Sequence, residues 1–285
     1  MKKFFLRAGG LLLILAFSAC VDALNATIPD DGYTVEKNIA YGDKARQHLD
    51  IYRPDNPAPG APVIVFVYGG RWETGSKEDY LFAGQAFASK GYTVVIADYR
   101  LYPEVHFPVF IEDAAAAFVW THRHIADYGG NPKNIFMAGH SAGAYIALML
   151  AADTSYIKKA GGEAGWIRGA IGLAGPYNFV PAQEDPDIQE IFSTAPESQT
   201  QVITFARKDM PPTFLATGDA DTTVKPHNTY DLAKRLKTLG GKIEVHTYED
   251  VAHIGLVLSL ASGFRGKASV LDDIAGFVEK YGAEK

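Results

Sequence analysis

The run Asn134-Ile135-Phe136-Met137-Ala138-Gly139-His140-Ser141-Ala142-Gly143-Ala144-Tyr145-Ile146-Ala147-Leu148-Met149-Leu150-Ala151-Ala152 decides how this chain is read. Asn134 to Ala138 form a short apolar run with the character of a buried strand. Ala144 to Ala152 are apolar nearly all round, as in a buried helix. Between them, Gly139-His140-Ser141-Ala142-Gly143 reads G-x-S-x-G. A strand-to-helix turn of this kind strains its central Ser and lifts the hydroxyl towards the positive end of a helix. The flanking glycines are needed because a side chain at either would push strand and helix apart. Ser141 is therefore the candidate nucleophile.

On either side of this run the chain alternates strands with helices. Val35 to Tyr41 and His48 to Tyr52 read as a strand pair joined at Gly42-Asp43. Continuous apolar runs at Pro62 to Tyr68, Tyr92 to Asp98, Ile167 to Leu173 and Pro212 to Thr217 suit strands buried on both faces. Ile243 to Tyr248 is the last strand. Helical patterns fill Asp79 to Lys90, Pro108 to about Tyr128, 226–239 and 268–281. Such alternation implies an α/β class with a mostly parallel sheet and helices on both faces, ligands sitting at the strands' carboxyl ends. The stretch from about 176 to 210, rich in Pro, Glu, Asp, Gln and Ser, breaks the rhythm and reads as a small insertion shaping a pocket.

Length and composition agree. With 285 residues, 47% hydrophobic and 21% charged, the chain can bury one large core. Fifteen Tyr, sixteen Phe and three Trp exclude a low-complexity chain. A net charge of -6 without a basic cluster beyond the first residues excludes a nucleic-acid partner. Lys2, Lys3 and Arg7 precede a short apolar run, Leu11 to Phe17, and then Phe17-Ser18-Ala19-Cys20. Residues 1–20 read as a lipoprotein-type signal, and Cys20, the one Cys in the chain, as the lipid attachment site. Residues 21–33 read as a tether and 34–283 as a single domain. The expected place is the bacterial cell envelope, with Val21 pointing to the outer membrane in a Gram-negative host; soluble export, secreted or periplasmic, is the alternative.

A Ser hydroxyl needs a base to take its proton and an acid to orient that base. His253, in the loop after the last strand, is the candidate base. Asp221, in the Gly218-Asp219-Ala220-Asp221-Thr222-Thr223-Val224 loop, is the candidate acid, with Asp219 as its competitor. His246 lies within a strand and reads as packed. His122 and His124, two apart on a helix, face different ways and suit no metal. His140 is expected to be turned to the other side. Acyl transfer also needs donors for an oxyanion. Ala142 should supply one backbone N–H, and Gly70 and Arg71 of Tyr68-Gly69-Gly70-Arg71-Trp72 the others.

These segments together resemble the α/β-hydrolase fold, in its hormone-sensitive-lipase-like and carboxylesterase branch (BD-FAE-like, prenylcysteine-methylesterase-like). Tyr68-Gly69-Gly70-Arg71-Trp72 resembles that branch's H-G-G-x-W segment, with Tyr68 in place of the His that braces the oxyanion loop. Asp98-Tyr99-Arg100-Leu101-Tyr102-Pro103-Glu104 resembles D-Y-R-L-A-P-E, in which Asp98, Arg100 and Glu104 hold the scaffold. Tyr128-Gly129-Gly130-Asn131-Pro132 resembles the turn before the elbow strand, and Asp221-Thr222-Thr223-Val224 resembles the D-x-x-V acid loop. The resemblance spans roughly residues 35–280. It implies a serine carboxylesterase acting through an acyl-enzyme on a small-molecule ester, with neither cofactor nor metal. A serine peptidase or arylformamidase of the same fold, or a non-catalytic surface binding module, are the alternatives.

Overall fold

A computed structural model describes residues 23–58 and 60–282. The expected signal segment and Cys20 lie outside those residues. Among the described residues no helix is long and apolar enough to cross a membrane.

The elements follow the apolar pattern closely. They run β1 (Tyr33–Ala40), β2 (His48–Pro54), β3 (Val63–Val67), α1 (Leu81–Ala88), β4 (Thr93–Ala97), α2 (Val109–His124), β5 (Ile135–His140) and α3 (Ala142–Ala152). Next come α4 (Ser155–Lys159), β6 (Ile167–Leu173), α5 (Pro186–Ile191), β7 (Thr213–Gly218), α6 (His227–Leu239), β8 (Ile243–Tyr248), α7 (His253–Leu258) and α8 (Val270–Gly282). Strands β3, β4, β5 and β7 are buried at every position, as strands covered on both faces must be. Helix α3 is buried on all sides, whereas α8 turns Val270, Leu271, Ile274, Phe277 and Val278 inward and leaves Asp272 and Glu279 exposed. Each such side chain stabilises the fold by about 1.5–3 kcal/mol through apolar area removed from water.

Among the described residues, eight strands form one sheet in the order β1-β2-β4-β3-β5-β6-β7-β8. Strand β2 pairs antiparallel with both neighbours, and every other pairing is parallel. Parallel strands bring their carboxyl ends to one edge. The residues after Val67, His140, Gly218 and Tyr248, far apart in sequence, therefore meet there.

Several boundaries differ from the expected ones. The segment 79–90 enters through a 3-10 turn, Lys77–Tyr80, before α1, because Ser76 and Asp79 form a reciprocal cap that closes the first turn. The helix expected to reach Tyr128 tightens to 3-10 geometry at Ile125 and stops at Gly129, whose φ of 81° suits glycine. The part of the tether that is described is not free of the domain. Ile28 is buried, Leu24 packs against the core, and the Asn25 side chain donates to the Glu78 carbonyl at 2.9 Å. Their apolar contacts outweigh the segment's lack of periodicity.

A charged group also lies inside. Lys77 is 1% exposed, and its Nζ sits 3.1 Å from Asp50 Oδ1 and 2.8 Å from Asn38 Oδ1, with Glu78 as a third partner. Asp50 is equally buried and accepts the Asn38 N–H at 2.8 Å. The pair fastens β1, β2 and the turn before α1 at one point.

Candidate active site

Strand β5 continues through His140, so the turn is carried by Ser141 alone. Its φ and ψ are 55° and −123°, a conformation that a non-glycine residue adopts only under constraint. Two glycines supply the constraint. A Cβ on Gly139 would lie 2.4 Å from the Gly143 backbone, and one on Gly143 would lie 2.0 Å from the Val67 carbonyl. Without side chains there, α3 drops onto β3 and β5 and holds the Ser at the helix N-terminus, where backbone N–H groups lack intrahelical acceptors.

The acid and base loops are brought equally close. A Cβ on Gly218 would lie 1.8 Å from the Val251 carbonyl, so the chain after β7 crosses the chain after β8 in contact. Asp221 is 3% exposed. Its Oδ1 accepts the N–H groups of Thr223 and Val224, both at 2.9 Å, which leaves Oδ2 for the His253 ring. His253 Nδ1 is 2.8 Å from Asp221 Oδ2, and His253 Nε2 is 2.9 Å from Ser141 Oγ. Nδ1–H donating to the carboxylate leaves the Nε2 lone pair facing the hydroxyl. Asp219 is exposed and accepts the Asp250 N–H at 2.8 Å, so it shapes the base loop and stays away from the ring. His253 itself opens α7, after Ala252 in extended conformation at the N-cap position, instead of lying in an irregular loop.

The third loop, after β3, bends back at Gly70, Arg71 and Trp72, with φ of 127°, 57° and 63°. A Cβ on Gly70 would lie 2.1 Å from the Thr74 carbonyl, so only glycine fits. Tyr68, standing where the resembled family has His, braces this loop from below. Its hydroxyl donates to Asp98 at 2.8 Å and accepts from Arg46 at 2.7 Å, and Arg46 also donates to the Gly75 carbonyl at 2.7 Å. Burial, and then the neighbouring Tyr99 and Asp98, push the Tyr68 hydroxyl far above its ordinary pKa, so it remains a donor. The Gly69 N–H is engaged by the Tyr80 hydroxyl at 3.3 Å. Asp98 thus has the scaffold role expected of it. Arg100 does too: it donates to both Asp113 oxygens, at 2.8 and 2.7 Å. Glu104 is exposed.

Ser141, Ala142, Arg71 and Trp72 open into a cavity of about 540 Å³. The insertion forms its roof with Asn178, Phe179, Val180 and Ile188, and Thr222 to Lys225, His227 and Asn228 close the far side. The wall at Trp72 is aromatic. The indole stacks on Phe110 and Phe179 and meets Tyr145 and Phe192 edge-on. Asn178 fastens the roof to α6, its N–H donating to Asn228 and its side chain to Asp231, both at 2.9 Å. Helix α5 begins at Asp185, whose Oδ1 caps the Ile188 N–H and whose Oδ2 takes the Arg71 guanidinium at 2.7 Å. The 176–210 stretch therefore shapes the pocket, as its composition suggested.

The other histidines divide as their surroundings dictate. His246 stacks on Phe214 with centroids 4.6 Å apart, and His122 lies flat against Trp166 at 3.6 Å. His140 is placed otherwise than expected. It is not turned away: it lies behind His253, ring centroids 4.7 Å apart, with Nε2 3.2 Å from the His253 carbonyl oxygen. A position adjacent to Ser141 carries no signal for this contact, which joins residues 113 positions apart.

The BD-FAE family model matches residues 49–236, from β2 through most of α6 and including Ser141 and Asp221. The chain belongs to the BD-FAE family. This BD-FAE member is 30% identical over 247 residues to a probable isoprenylcysteine alpha-carbonyl methylesterase of Arabidopsis thaliana, the match covering 79% of this chain and 52% of the relative. It is also 30% identical over 217 residues to the probable carboxylic ester hydrolase LipM of Mycobacterium tuberculosis, covering 67% and 49% of the two chains. It thus spans about half the length of these relatives. Its fold is similar to that of esterase B from Lactobacillus rhamnosis, with a TM-score of 0.78, 17% identity and coverage of 96% and 95%. It is similar also to that of a bacterial heroin esterase, with a TM-score of 0.74, 22% identity and coverage of 93% and 90%. The chain has the α/β-hydrolase fold.

Proposed function

We propose that the chain is a serine carboxylic-ester hydrolase that works through an acyl-enzyme on Ser141. The observation that carries this reading is the relay from Ser141 Oγ to His253 Nε2 at 2.9 Å and from His253 Nδ1 to Asp221 at 2.8 Å. His253 takes the Ser141 proton as Oγ attacks the ester carbonyl. Asp221 holds the ring in the required tautomer and stabilises the imidazolium. The negative charge passing onto the carbonyl oxygen is met by the N–H of Ala142 at the start of α3 and by the Gly70 and Arg71 amides. One such donor contributes about 3 kcal/mol to the transition state. His253 returns the proton to the leaving alcohol, and a water then repeats the sequence on the acyl-enzyme. The esterase names of the relatives support an ester as substrate, and the mixed apolar and polar walls of the cavity suit a small acyl or aryl ester.

The test is a panel of p-nitrophenyl esters of graded acyl length, with the matching anilides, together with an organophosphonate probe. Ester turnover well above anilide turnover, and one phosphonate per chain on Ser141, is the expected result. A folded chain that takes no phosphonate would overturn it and favour a binding module.

We also propose export to the cell envelope with lipid attachment at Cys20. Incorporation of labelled fatty acid into the full chain, lost in Cys20→Ser, tests it.

A further inference from the structure

The histidine beside the nucleophile has no part in the relay just described, yet it touches the base from behind. His140 is 1% exposed and ends β5. Its Nε2 lies 3.2 Å from the main-chain oxygen of His253. A carbonyl can only accept, so Nε2 carries the proton and Nδ1 is the bare nitrogen. Nδ1 is buried and has no hydrogen-bond partner among the described residues, and a Cβ on Gly69 would lie 3.3 Å from it. A second proton on this ring would thus be buried with no acceptor, so the ring is held neutral, as a ring facing a developing imidazolium 4.7 Å away must be.

Three contacts then fix His253. Asp221 and Ser141 hold the two ring nitrogens, and the His140 N–H holds the backbone from which the ring springs. The third contact matters because the His253 carbonyl belongs to the first turn of α7, a helix of only six residues. We propose that His140 is a positioning residue for the catalytic base: its neutral imidazole ties the first residue of α7 to the last residue of the elbow strand, so that nucleophile and base keep a common frame. A burial role alone would be served as well by an apolar side chain. The unpartnered Nδ1 is the cost of having a donor here.

The inference rests on the proposed Ser141 chemistry, and its test separates the two. Wild type, His140→Met, His140→Gln and Ser141→Ala are compared for kcat and KM on a p-nitrophenyl ester, for thermal midpoint, and for the downfield proton NMR signal of His253 Nδ1–H. Met keeps the volume and loses the donor; Gln places an amide N–H near the former Nε2. The expected result for His140→Met is a fall in kcat of roughly 10- to 100-fold, the cost of a misplaced catalytic group, with KM nearly constant. Its Nδ1–H signal broadens or shifts, and His140→Gln restores both. Equal kcat and an unchanged signal in His140→Met would overturn the inference, as would losses shared equally by Met and Gln. Full turnover by Ser141→Ala would overturn the esterase reading instead, and the NMR signal would then decide the role of His140 by itself.

Discussion

The guanidinium of Arg71 lies 2.7 Å from the carboxylate of Asp185, which caps the first helix of the insertion. The same Arg71, with φ of 57°, is a candidate backbone donor to the oxyanion. One side chain therefore ties the loop after β3 to the segment that roofs the pocket. Both partners are about half exposed, so the pair contributes little to overall stability, on the order of 1 kcal/mol or less. Its effect should be local. Asp185→Asn, which keeps a capping oxygen but loses the charge, should lower kcat several-fold while leaving the thermal midpoint within about 2 °C. Added salt should reduce the difference between variant and wild type, because exposed pairs are screened. Steady-state kinetics at low and high salt check this.

The two aspartates of the acid loop should separate cleanly. Asp221→Asn leaves the His253 ring without the carboxylate that sets its tautomer, and kcat should fall by on the order of 10⁴. Asp219→Asn still offers an oxygen to the Asp250 N–H and should remain within a few-fold of wild type. Equal effects of the two variants would contradict the assignment.

The buried ring of His140 makes stability depend on pH. Its pKa is lowered to about 3, first by burial and then by the neighbouring His253, against the upward pull of the carbonyl it serves. The unfolded chain, with an ordinary imidazole, binds the proton below about pH 6.5 while the folded chain does not. The stability is thus fully present above that value and declines as pH falls towards the folded value, by up to about 1.4 kcal/mol per pH unit. Denaturant titrations at pH 7 and pH 5 should show a smaller loss for His140→Gln than for wild type. An equal loss would mean that the ring is protonated without penalty.

Lys77 and Asp50 form the other buried contact with a measurable consequence. Lys77→Met leaves the Asp50 carboxylate buried with its cation gone, a change that costs about 3–5 kcal/mol. The thermal midpoint should fall by roughly 10 °C for a domain of this size. Lys77→Met with Asp50→Asn should recover more than half of that, since the residual charge is removed. Failure of the second change to recover stability would place the loss in the other Lys77 partners, Asn38 and Glu78.

The parts that could be read from sequence are those whose physics is local. The continuous apolar runs fixed β3 to β7 because strands covered on both faces need no polar side. The turns holding Ser141, Asp221 and His253 were legible because each carries glycines or turn residues next to a strand end, and the chain order matched. Asp221 was the choice over Asp219 from its place in the loop; the contact with His253, 32 positions on, is what separates the two in the fold. The packing of Leu24 and Ile28, the Tyr68 brace with Asp98 and Arg46, and the contact of His140 with His253 all join distant residues. A pattern of neighbours holds no record of such contacts, and a residue next to a motif, as His140 is, is easily taken for its bystander.

Whether Ser141 is the nucleophile of an esterase is decided by hydrolysis of a short p-nitrophenyl ester by wild type and by Ser141→Ala under identical conditions. Turnover by the wild type is expected, with a loss on the order of 10⁶ in kcat for the variant and its fold and thermal midpoint preserved. Ester hydrolysis by a folded Ser141→Ala chain at a rate near that of wild type would contradict it.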